Sequence, residues 1–211
     1  MQPSPPQPVN RFERRRAQTR QALIRGARAI LAERGNAEVS IQVIAERADV
    51  GFGTFYNHFE TKEALFDAAV ADALEEYGQL LDAATELIDD PAETVATSVR
   101  LALRLAVSHP EITGILRFRG LQHVHSGTGL GPRALRDVEV GRASGRFRVA
   151  DAQVALSVVG GAVLGLIQLG ATTELDEAAG EQTAEMILRM LGVPAEEAQT
   201  LATKPLPALG R

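Results

Sequence analysis

Thr54, Asn57 and His58 lie close together in the stretch GFGTFYNHFETKEAL (51–65). At 100° per residue they share one side of a short helix. A hydroxyl, an amide and an imidazole on a common face, with Gly53 permitting close approach, are groups for hydrogen bonding to a surface pressed against them. That is the chemistry of recognition, and a DNA groove is the surface such a face would meet. Phe52, Phe55, Tyr56 and Phe59 fall on the other side. The chain has only nine aromatic residues, seven Phe and two Tyr. Each buries about 150–250 Å², so four of them here can anchor a small helical head.

Residues for bond-making chemistry are scarce. The chain has no cysteine, which excludes disulfides, thiolate metal sites and cysteine nucleophiles. His109, His123 and His125 with Asp137 match no metal-ligand spacing. GTGLGP (127–132) has the glycines of a phosphate cradle but no strand before it, so it reads as a mobile loop. No Ser-His-Asp or paired-carboxylate arrangement stands out. Neither an enzyme nor a metal or cofactor is expected. A helical enzyme and a protein-binding adaptor are the alternative classes, and neither has a motif in its favour.

The elements that position these groups are helical. Leu23, Ile24, Ala27, Ile30 and Leu31 form one stripe, which Gly35 ends. Ser40 is an N-cap for a short helix to about Ala48. After the turn at Asp49, Val50 and Gly51, a second short helix runs to about Phe59. The pair has helix-turn-helix proportions. Thr61 caps a long helix that ends at the Asp89-Asp90-Pro91 break. Further helices are expected at about 92–108, 111–122, 133–144, 151–173 and 177–191, with one short helix at 195–202. The fold class is all-α. The divisions are a disordered tail at 1–10, a helix-turn-helix domain at 11–60, a second domain at 61–193 and a loose tail at 194–211.

Net charge is −5, but residues 1–62 hold ten Arg or Lys against six Asp or Glu, and the remainder twelve against twenty-one. A basic head on an acidic body implies that only the head meets a polyanion. Arg11, Arg14, Arg15, Arg16 and Arg20 precede the first stripe, as a phosphate-seeking or minor-groove arm would.

SIQVIAERADVGFGTFYNHFETKEAL resembles the DNA-binding segment of the tetracycline-repressor (TetR) family of transcriptional regulators. The match covers about residues 15–66, with Ser40, Ile44-Ala45, Ala48, Val50, GTFYNHF at 53–59 and KEAL at 62–65. The resemblance implies a cytoplasmic homodimer that binds double-stranded operator DNA and is released by a small-molecule effector. It implies phosphate contacts from Ser40, Tyr56 and Lys62, with His58 nearby, and base-edge roles for Gln42, Phe52, Thr54 and Asn57. Amides bond adenine bidentately, while Phe or a Thr methyl touches the thymine methyl. Gly51 departs from the family's usual serine, so that one phosphate contact is lost or passes to backbone N–H. Phe52 departs from a polar or basic residue, which makes any readout there apolar.

Asp151 and Glu174 enclose 22 uncharged residues. Membrane-anchor residues are lacking at both flanks and Gln168 sits inside, so a buried helix is expected rather than a span. The resemblance places the dimer interface on the last two long helices. Gly161, Gly165 and Leu169 would lie there with Met186 and Met190. It also implies an effector pocket between the central helices. Arg119 lies seven residues after Ile112, on the apolar face with Ile115 and Leu116. A cation there needs an internal acid or an anionic, amphipathic effector. Arg104, Leu116, Arg117 and Phe118 are the other pocket candidates.

Overall fold

A computed structural model describes residues 11–207, the side chains of Val107 and Phe118 excepted. The tail expected at 1–10 lies outside them. The helices are α1 (Arg11–Arg34), α2 (Ile41–Arg47), α3 (Phe52–Phe55), α4 (Lys62–Thr85), α5 (Pro91–Ser108), α6 (Pro110–His123), α7 (Leu130–Ala143), α8 (Ala152–Leu169), α9 (Glu177–Met190) and α10 (Ala195–Ala202). No strand occurs among the described residues.

The chain forms two compact units, Met1–Ala69 and Val70–Arg211. The division falls inside α4, nine residues after the 60/61 boundary expected from sequence. Leu65, Phe66 and Ala69 on the first turns of α4 are buried.

The first unit buries Leu23, Ile24, Ala27, Ile30 and Leu31 of α1 with Ile44, Ala45, Phe55 and Phe59. Gly26 lets α1 approach α2, since a Cβ there would touch the Ala48 Cβ at 3.4 Å. Ser40 caps α2 by accepting from Val43 N–H at 3.3 Å. Asp49 turns the chain with φ at 54°, a left-handed conformation that Asp tolerates. α3 is shorter than expected. Its regular part stops at Phe55, and turns with Asn57 N–H to Thr54 and His58 N–H to Phe55 carry the chain on to Phe59.

In the second unit α5 packs on α9, α10 on α9, and α6 and α7 on α8. Val95, Val99, Val138, Phe147, Leu188 and Leu191 are among its core residues. Aspartates start three helices. Asp90 accepts from Ala92 N–H, Asp151 from Gln153 and Val154, and Asp176 from Ala179. Three elements differ from expectation. α7 begins at Leu130, inside the glycine-rich stretch, because Gly129 enters it with φ at 78° and Pro132 is tolerated in a first turn. α8 stops at Leu169, where Gly170 and two threonines follow. α10 matches the short helix expected at 195–202, but it buries Ala198, Leu201 and Ala202, so this part of the tail expected from 194 is packed. α8 is the one described helix long and apolar enough to cross a membrane by length and composition, and most of it is not buried within the chain.

Candidate DNA-contacting surface and ligand cavity

The aromatic cluster divides in two. Phe55 and Phe59 are buried, while Phe52 and Tyr56 are 54% and 55% exposed. Tyr56 stands edge-on to both Phe55 (centroids 5.3 Å apart) and Phe52 (6.1 Å). The packed face that sequence assigned to all four therefore holds only two. Gly51, Gly53 and Asn57 are exposed, and Thr54 and His58 half-buried. A Cβ placed on Gly53 would meet no atom within 4 Å.

Around this surface, Ser40 is exposed and keeps its own hydroxyl proton to donate. Gln42 Nε2 donates to Glu46 Oε1 at 3.0 Å. Lys62 Nζ donates to the Val39 carbonyl at 3.2 Å, tying the start of α4 to the entry of α2. Arg15 and Arg16 are exposed but helical, since α1 begins at Arg11. The Arg20 guanidinium lies 4.9 Å from the Phe59 ring centroid. Burial, then the charges of Arg16 and Arg20, push the His58 pKa below its usual 6.5.

The neutral imidazole is therefore the form the fold favours. Protonation is resisted more in the folded than in the unfolded state, so the His58 contribution to stability is present above pH 6.5 and is lost as pH falls through its lower folded value. Between pH 7 and 5.5 the first unit is expected to lose stability, and His58→Asn to flatten that slope, as measured by urea denaturation at each pH. Identical slopes in parent and variant would contradict this.

The second unit contains a cavity of about 140 Å³ among α4, α5, α6, α7 and α8. Leu74, Tyr77, Val99, Leu116, Val159 and Leu164 line its apolar part, and Asp82, Arg133, Asp137 and His123 are its titratable wall. Tyr77 is buried and donates its O–H to the Ala102 carbonyl. Arg133 donates from Nε to Asp82 Oδ2 (2.7 Å), from Nη1 to Glu75 Oε2 (2.9 Å) and the Gly129 carbonyl (2.7 Å), and from Nη2 to Glu75 Oε1 (2.7 Å). A guanidinium has five N–H protons, so one on Nη2 is left. Arg136 bridges Asp82 and Asp137 at 2.9 Å each.

The acids along this ladder differ. Arg133 holds Glu75 down at about 2. Burial pushes Asp82 up, but the bonds from Arg136 and Arg133 outweigh it and leave its pKa lowered. For Asp137 burial wins over the Arg136 bond and its pKa is raised. Only its Oδ1 takes the Arg136 bond.

None of these wall residues was expected from sequence. Of the expected pocket residues, Leu116 lines the cavity. Arg104 is exposed and pairs with Glu177 at 2.6 Å, and Arg117 is exposed and donates to Gln168 at 3.1 Å. Arg119 is half-buried and donates to Gln122 at 3.1 Å, so it is not the buried unpaired cation that its helix position implied. Phe118 lies on α6. The histidines and Asp137 form no metal-holding group among the described residues: His123 bonds the Arg119 carbonyl, His125 bonds Gln153 and Ser157, and His109 bonds Ser108.

A third surface lies on α8 and α9. Val154, Val158, Gly161, Gly165 and Leu169 are spaced four, three, four and four residues apart and are all exposed, as are Met186 and Met190. Nothing in the chain lies within 4 Å of a Cβ placed on Gly161 or Gly165.

Two family descriptions match the chain. "Bacterial regulatory proteins, tetR family" covers residues 23–69, and "Tetracyclin repressor-like, C-terminal domain" covers 90–204. Among solved structures, RolR in complex with its ligand resorcinol is 36% identical, covering 93% of this chain and 99% of its own, with a TM-score of 0.78. RolR without ligand is 37% identical over 90% of this chain and 100% of its own, at 0.75. A TetR-family transcriptional regulator from Pectobacterium atrosepticum is 26% identical over 88% of this chain and 98% of its own, at 0.62. None of the curated proteins matches the chain.

Proposed function

Because the chain belongs to the tetracycline-repressor family of DNA-binding transcriptional regulators, we propose that it is a homodimeric repressor, acting in the cytoplasm, that a small neutral phenol releases from its operator. The cavity carries the ligand part of this reading. Its volume of about 140 Å³ compares with the roughly 150 Å³ apolar cavity that accepts benzene, so one aromatic ring fills it. The lining charges, Asp82 and Asp137 against Arg133, favour hydroxyl donors over carboxylates. A carboxylate roughly 4 Å from one of these acids meets a repulsion on the order of 4 kcal/mol at an effective dielectric near 20. A phenol instead donates to Asp137 and accepts from the remaining Arg133 proton. The similarity to RolR with resorcinol supports the same class, and the anionic, amphipathic effector expected around Arg119 loses its motive.

α4 carries Lys62 at one end and Leu74, Tyr77 and Asp82 at the cavity. A ligand that binds one placement of this helix better than another shifts the population toward the form that no longer fits DNA. Two copies would join through the exposed α8–α9 stripe as a four-helix interface.

On DNA, Ser40, Tyr56, Lys62 and the Gly51 backbone would hold phosphates, with Arg15, Arg16 and His58 beside them. Gln42, Phe52, Gly53, Thr54 and Asn57 would face the bases. Lys62→Ala is expected to weaken binding to all sequences alike and to lower the salt slope by about one unit. Asn57→Ala is expected to relax preference at one base pair, at a cost of about 1–3 kcal/mol there. Selection of bound fragments from genomic DNA supplies the sequence panel. Parallel losses for both variants across that panel would contradict the division of roles.

A further inference from the structure

We propose that Glu75, which does not itself line the cavity, is the positioning residue of the ligand site: it fixes the Arg133 guanidinium so that its one remaining Nη2 proton is presented to the ligand. This rests on the phenol reading above. The carboxylate grips both terminal nitrogens of Arg133, at 2.7 and 2.9 Å. Such a two-point charge-assisted pair fixes the plane of the guanidinium as well as its place. Gln79 holds the carboxylate in turn, donating to Oε1 at 3.1 Å from one helical turn further on.

The surroundings are shaped for the same purpose. A Cβ at Gly78 would come within 2.8 Å of Arg133 Cδ and Nε, so glycine leaves the channel in which the side chain lies. The Gly129 carbonyl, in a segment with φ at 78°, takes a second Nη1 proton. With Glu75 removed, Arg133 keeps Asp82 on Nε and Gly129 on one nitrogen. Neither contact prevents the terminal groups from turning. The ligand would then have to order them itself, which lowers affinity. Both grips on Nε and Nη2 come from α4, through Asp82 and Glu75. A ligand bonded to Arg133 therefore acts on α4 through Glu75 as well as through the α4 residues that line the cavity, without touching Glu75 itself.

The test compares the full-length parent with Glu75→Gln and Glu75→Ala by two readouts. Nitrogen-15 spectra of arginine side chains report rotation of the Arg133 terminal groups, and calorimetry with resorcinol as the probe reports affinity. In the parent the Arg133 Nη signals are expected to be separate and slowly exchanging. In both variants they should average, and resorcinol affinity should fall roughly tenfold or more, with affinity for a selected DNA fragment unchanged. Glu75→Gln keeps the shape of the residue, so it guards against a folding defect in Glu75→Ala. Separate Arg133 signals in both variants, or averaged signals with unchanged resorcinol affinity, would overturn the proposal. If the parent binds no resorcinol, the phenol reading fails, and the Arg133 spectra alone decide whether Glu75 positions it.

Discussion

Phe55→Ala is expected to destabilise the first unit by about 3–5 kcal/mol, the cost of removing a fully buried phenyl ring. Phe55 has no exposed surface, and α3, which carries it, packs on α2. α3 has four residues in regular helix, too few to hold its place by backbone hydrogen bonds alone. Phe55 and Phe59 therefore anchor the whole recognition segment. Hydrogen exchange over residues 11–69 measures the effect directly, and DNA binding should be lost with it. The neighbouring Phe52→Ala and Tyr56→Ala remove exposed rings and should cost little stability. Equal losses at Phe55 and Phe52 would contradict the two-sided arrangement of the aromatics.

Gly165→Leu, alone or with Gly161→Leu, is expected to separate the proposed dimer while leaving each chain folded. A Cβ at either position meets no atom of the chain within 4 Å, and replacing a mid-helix glycine favours the helix by up to about 1 kcal/mol. In a two-fold interface each substitution acts twice. Overpacking of about 1–3 kcal/mol per site then weakens association by roughly 30-fold or more. Sedimentation across a concentration series reads this out, with thermal unfolding as the control. A parent protein that is monomeric at micromolar concentration would remove the basis for this interface.

The parts of the molecule that the sequence made legible are local. The α2 cap at Ser40, the Asp49 turn and the apolar stripe of α1 depend on residues a few positions apart, and their periodicity carries them. The division of the aromatics was not legible, because a helical wheel drawn to Phe59 groups all four on one side, whereas Phe52 on the first residue of α3 and Tyr56 just past its end stay exposed. The ligand wall was missed for a different reason. Arg133 meets Asp82 across 51 residues and Glu75 across 58, and no spacing rule links α4 to α7. Its nearest sequence signal was the Arg133 and Asp137 pair one turn apart on an amphipathic helix. Arg119 misled for the converse reason. Its place on the apolar face follows from α6 alone, whereas the side chain is half-buried and bonds Gln122, three residues on.

The most direct test is a titration of the protein bound to a selected DNA fragment, followed by fluorescence anisotropy. The fragment should bind protomers in pairs, with affinity that falls steeply as salt rises. Resorcinol should then release it in a saturable manner, and benzoate, similar in size but anionic, should not. Release by benzoate as readily as by resorcinol would contradict the ligand class, and binding that neither prefers a sequence nor responds to salt would contradict the account as a whole.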